Sequence, residues 1–61
     1  MDHKEPTAKQ ILQARKNANL TQSQAAGLIY KTLRNWQKYE SGEIHMDRAL
    51  WELFKIKTST L

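Results

Sequence analysis

A chain of 61 residues with no cysteine makes one small domain, or part of one. It buries only about 60% of its unfolded surface, and neither a disulfide framework nor a thiolate metal site can reinforce it. No run approaches the roughly 18 apolar residues of a membrane span, and the opening MDHKEPTAKQ lacks the apolar stretch of a secretion signal. The expectation is therefore a soluble, cytoplasmic protein without membrane contact. The net charge of +4 and pI near 9.7 point toward a polyanionic partner. Distribution sharpens the point: no charge lies between Thr21 and Tyr30, and Lys31, Arg34 and Lys38 follow at close spacing.

In chain order, residues 1–6 read as a flexible arm, 7–56 as the domain and 57–61 as a polar, frayed tail that resembles a strand only weakly. Thr7 and Gln10 form a capping box behind Pro6. Ala8, Ile11, Leu12 and Arg15 then follow the i, i+3, i+4, i+7 spacing of a helix with one buried face, ending near Ala18. Thr21 and Gln24 repeat the capping box, with Leu20 at the staple position opposite Ala25. A second helix over Gln22–Ile29 would bury Ala25, Ala26 and Ile29, whose small alanines admit a close neighbour. Thr32 caps a third helix from Leu33 to about Glu40, with Trp36, Tyr39 and Glu40 on its inner side and Ser41-Gly42 ending it. Glu43–Met46 reads as a loop anchored by Ile44 and Met46. Asp47 caps a fourth helix containing Leu50, Trp51, Leu53 and Phe54. The fold class is all-α: a bundle of four or five short helices.

Two short helices joined by a three- to four-residue turn constitute a helix-turn-helix, whose second helix fits the B-DNA major groove, about 12 Å wide. The segment LTQSQAAGLIYKTLRNWQKYESG (residues 20–42) resembles the core of the Xre/Cro-type phage-repressor family. Gln22, Ala26, Tyr39, Glu40 and Gly42 match its pattern, and the likeness spans roughly residues 7–55. The chain departs from the family at Tyr30, where glycine is usual in the turn, and at Trp36, where valine or isoleucine is usual. Because an aromatic residue at positive φ is strained, the expectation at Tyr30 is a turn routed to avoid that conformation. The family's fifth helix, with its dimer surface, has no counterpart here.

On this reading Leu33, Arg34, Gln37 and Lys38 face base edges. Arg34 suits the bidentate contact to guanine O6 and N7, and Leu33 suits a thymine methyl. Failing that, Arg34 and Lys38 form a solvated basic face. Gln22, at the family position that contacts phosphate and braces the recognition helix, joins Lys31, Thr32 and Asn35 as phosphate-side residues; a helix N-terminus favours anions. Thr21 and Thr32 also serve as caps, and Asn35 equally suits a supporting role in the first turn. The resemblance implies that Arg15 and Glu40 form a partly buried structural ion pair, which rescues a charge placed on an apolar face. Trp36 and Trp51 are expected in the core, and His3 and His45 in solvent.

No His/Asp/Glu cluster has metal-ligand spacing, and no catalytic set or phosphate loop is evident; Asp2 and Glu5 belong to the arm. The expectation is a non-enzymatic, cofactor-free, sequence-specific regulator of transcription. It would act as a repressor on double-stranded DNA, on an inverted-repeat operator, as a weak homodimer or a dimer formed on DNA, with Leu53, Phe54 and Ile56 as contact candidates. The alternatives are an antitoxin-like helix-turn-helix protein that chiefly binds a partner protein, and a single-stranded RNA binder, for which only Tyr30 offers an exposed aromatic platform.

Overall fold

Each helix begins where a side chain can take an orphaned backbone N–H. In the computed structural model, which describes residues 5–61, the elements are α1 (Ala8–Asn17), α2 (Gln22–Leu28), α3 (Leu33–Ser41) and α4 (Arg48–Thr58). Thr7 and Thr21 accept from the backbone N–H of Gln10 and Gln24, whose side chains accept in return from the two threonine N–H groups, so both capping boxes are closed. Thr32 accepts from the Asn35 N–H and Asp47 from that of Ala49. Each such cap contributes about 1 kcal/mol.

The first three helices also end alike. Asn19, Tyr30 and Gly42 each hold a left-handed conformation, at φ 64°, 62° and 83°. The N–H of the left-handed residue and that of its successor turn back onto the helix: Asn19 to the Lys16 carbonyl and Leu20 to Arg15; Tyr30 to Gly27 and Lys31 to Ala26; Gly42 to Tyr39 and Glu43 to Lys38. These are Schellman closures, which satisfy the last carbonyls of a helix.

The turn at Tyr30 thus differs from the expectation: it adopts the positive φ instead of avoiding it. Two backbone hydrogen bonds of 3.2 and 2.9 Å offset a left-handed penalty of roughly 1–2 kcal/mol. The tyrosine also gains a partner, because its ring lies 4.2 Å beneath the Lys57 ammonium, which donates to its hydroxyl at 2.6 Å. The ring itself stays 76% exposed.

Ile11, Ala25, Ala26, Ile29, Trp36, Tyr39, Met46 and Phe54 form the buried core, flanked by Ala14, Leu20, Leu28, Ile44, Leu50, Trp51 and Leu53. Trp36 is fully enclosed, edge-on to Tyr39 and 5.1 Å from the Phe54 ring centroid. The alanines at 25 and 26 have no bulk to hold α3 away, and α2 packs more extensively on α3 than on any other helix. Trp51 is half-buried, stacked on Phe54 with Lys55 above it.

Four further details depart from the sequence reading. Pro6, placed in the arm, is buried. Lys57 and Thr58, placed in the tail, belong to α4, where the Thr58 hydroxyl donates to the Phe54 carbonyl. The last residues form a turn and not a strand. Phe54 is wholly buried and cannot serve a contact between copies, whereas Ile56 is 63% exposed. Asp2 and His3 lie outside the described residues, and His45 is exposed near Glu5. Among the described residues no helix is long and apolar enough to cross a membrane.

The pairing of Tyr30 with Lys57 makes a double-mutant cycle informative. Tyr30→Gly relieves the backbone strain but removes the ring. Its effect on thermal stability should therefore be more favourable by about 0.5–1 kcal/mol in a Lys57→Ala background than in the parent chain. Equal effects in both backgrounds would show that the ring and the ammonium do not couple.

Candidate nucleic-acid interface

The orientation of α3 is set from inside. Its residues 36, 39 and 40 share one face, and that face turns inward with Trp36 and Tyr39 buried. Glu40 follows them in, so its carboxylate must be satisfied by protein groups. Three helices supply them. From α1, Arg15 Nε donates to Oε2 at 2.6 Å and Nη2 to Oε1 at 3.3 Å. From α2, Gln22 Nε2 donates to Oε1 at 2.9 Å. From α3 itself, the Trp36 indole N–H donates to Oε2, one helical turn away. Arg15 Nη1 also donates to the Leu20 carbonyl at 3.0 Å, tying in the turn before α2. The side chains of Arg15 and Glu40 are only 15% and 9% exposed.

With that face committed inward, the opposite stripe is turned out. Arg34, Gln37, Lys38 and Ser41 follow i, i+3, i+4, i+7 and together line a shallow depression, with Glu43 at its edge. Arg34 and Gln37 are exposed and Lys38 is half-buried. Leu33 stands at the N-terminal end, 43% exposed. Gln37 sits between Arg34 and Ser41 in the stripe and donates from Nε2 to Gln22 Oε1, a long contact of 3.5 Å.

Gln22 therefore has both ends of its amide engaged. Its nitrogen faces the Glu40 carboxylate, which can only accept, so its oxygen must face the outer surface beside Gln37. Lys31 and Thr32 are exposed in the turn just before α3, and Asn35 is half-buried with its backbone N–H held by Thr32. Arg34, Gln37 and Lys38 thus lie on one stripe, with Lys31 and Thr32 just ahead of its N-terminal end, Asn35 in the first turn of α3, and Gln22 beside Gln37 further along it.

Sequence reasoning missed three participants. Glu43 reaches the stripe because left-handed Gly42 reverses the chain over the last turn of α3; the Ser41-Gly42 pair was the available signal. Trp36 is a hydrogen-bond donor to the ion pair as well as core, a role signalled by its spacing of four from Glu40. Lys57 was assigned to a tail, and nothing in the local pattern links it to Tyr30.

Chemically, the stripe offers a guanidinium, an ammonium and an amide as donors, a hydroxyl, and a single carboxylate as acceptor. Among the described residues no group of three or more His, Asp or Glu side chains is placed to hold a metal ion. No protein-family model matches the chain, and no curated protein is significantly similar to it.

Glu40 also makes stability depend on pH. Burial alone pushes its carboxyl up, but the hydrogen bonds from Arg15, Trp36 and Gln22 and the Arg15 charge outweigh it, and the group titrates below its ordinary 4.5. A carboxyl with a depressed native pKa contributes stability that is present above the unfolded value and lost as pH falls through the native one. Acid melts should therefore show stability declining below pH 4.5, with Glu40→Gln removing part of that decline. Arg15→Ala at neutral pH should cost about 3 kcal/mol by stranding the carboxylate. An Arg15→Ala chain that melts like the parent would refute this account of the ion pair.

Proposed function

We propose that this chain is a sequence-specific double-stranded DNA-binding regulator of transcription in which α2 and α3 act as a helix-turn-helix and α3 lies in the major groove. The observation carrying this reading is the outward stripe of Arg34, Gln37 and Lys38 on a helix whose roll is held by the partly buried Arg15–Glu40 pair. The Xre/Cro-type resemblance of residues 20–42 agrees with it, as does the excess of basic side chains.

In this mechanism the phosphates set register and the bases set choice. Lys31 and Thr32 lie beside the N-terminus of α3, where the DNA backbone passes. Gln22 can offer its second Nε2 hydrogen to a phosphate, since only one is spent on Glu40. Arg34 takes guanine O6 and N7 as a bidentate pair, and Leu33 covers a thymine methyl. Lys38 and Gln37 extend the footprint one turn further along the groove. A single module of this kind buries only about 600–1,000 Å² of protein surface. Two copies on an inverted repeat, with half-sites roughly 34–36 Å apart, supply the remainder, and the simplest output is repression by occupancy.

Selecting bound duplexes from a random pool, followed by titration of the winner at several salt concentrations, tests the proposal. Log affinity should fall linearly with log salt, and Lys31→Ala should weaken every duplex while lowering that slope by about 0.9. Arg34→Ala should flatten the preference at one base pair by about 1–3 kcal/mol. Equal affinity of the parent chain for all duplexes would reduce the protein to a nonspecific coat and overturn the reading.

A further inference from the structure

The depression along α3 holds one group that a DNA-binding surface would not be expected to carry. Glu43 lines it together with Arg34, Gln37, Lys38 and Ser41. Its position is imposed by backbone geometry: Gly42 at φ 83° turns the chain, and the Glu43 N–H then donates to the Lys38 carbonyl at 3.0 Å and to the Ser41 hydroxyl at 3.3 Å. The residue is exposed. Among the described residues its carboxylate forms no ion pair within 4 Å, in contrast to those of Glu40 and Glu52. A carboxylate with no close ion-pair partner among the described residues therefore stands at the C-terminal edge of the basic stripe.

We propose that Glu43 opposes the DNA backbone and holds binding by a single copy of this domain weak; the inference rests on the DNA-binding reading above. Base contacts come from the N-terminal part of a recognition helix, so a group at the other end of the stripe stands at the rim of the footprint. Phosphates supply most of the affinity at such rims. A carboxylate has no hydrogen to donate to them and repels them. Its effect is independent of sequence and fades with salt as the charge is screened. Each copy then needs a second one on the same site for occupancy, and isolated half-sites stay empty.

Glu43→Gln and Glu43→Lys, compared with the parent chain on a selected duplex and on unrelated duplexes at 50 and 200 mM salt, test this. Glu43→Gln should tighten binding to all duplexes alike, on the order of three- to tenfold at the lower salt and less at the higher. Glu43→Lys should tighten it further and steepen the slope of log affinity against log salt by about 0.9, as one added phosphate contact does. Unchanged melting curves would show that neither variant alters the fold.

Unchanged affinities in both variants would overturn the proposal while leaving DNA binding intact. So would weakening confined to duplexes with one particular base pair, which would make Glu43 an acceptor for an exocyclic amine such as cytosine N4. A parent chain that binds no duplex even at 50 mM salt would remove the DNA-binding reading and this inference with it.

Discussion

The Glu40 carboxylate is the point on which the arrangement of α1, α2 and α3 depends. It sits on the inward face of α3, 9% exposed, where an unpaired charge is costly. Arg15 ties α1 and Gln22 ties α2 to its two oxygens, and the Trp36 indole adds a donor from within α3. Rotating α3 about its axis would break the amide contact to α2 and the guanidinium contacts to α1 together. Apolar packing of Trp36 and Tyr39 makes that face favourable, and the ion pair makes it specific. The price is a fold that loses stability when the carboxyl is protonated.

Economy of connection explains how four helices fit into so short a chain. The α1–α2 and α2–α3 links share one design: a left-handed residue, one further residue, then a threonine that caps the next helix. Asn19-Leu20-Thr21 and Tyr30-Lys31-Thr32 are the two instances. Asparagine enters the left-handed region more readily than other non-glycine residues. Tyrosine has no such advantage, and at position 30 the tertiary contact with Lys57 accompanies the strained backbone. The same closure at Gly42 does a third job, because it brings the following residue back over the outer face of α3.

That outer face is not uniformly basic. Arg34 and Lys38 stand beside neutral Gln37 and Ser41, with Glu43 at the rim. Gln37 lies 3.5 Å from the Gln22 amide oxygen, and the Gln22 nitrogen donates to Glu40. For a surface proposed to read DNA, such mixing favours discrimination over raw attraction, since uncompensated positive charge binds every duplex alike.

Local rules carried much of this fold. The caps at Thr7, Thr21, Thr32 and Asp47, the glycine stop at Gly42 and the apolar spacing of Ile11, Ala25, Ala26, Ile29, Trp36, Tyr39 and Phe54 are short-range patterns, and each was legible because a helix end or face is decided by residues within a turn of it. The stripe of Arg34, Gln37 and Lys38 was legible for the same reason: the inner positions of α3 leave only those for the outside. Apart from the Arg15–Glu40 pair, which the family resemblance implied, the features joining distant segments needed the tertiary structure. Lys57 meets Tyr30 across 27 positions and Gln22 meets Glu40 across 18, and no local pattern encodes either meeting. The left-handed turn at Tyr30 could not be read because its intrinsic cost is local while its compensation is not. Glu43 reached the candidate interface only when the chain, reversed at Gly42, was laid against a helix whose roll the Glu40 carboxylate had already set.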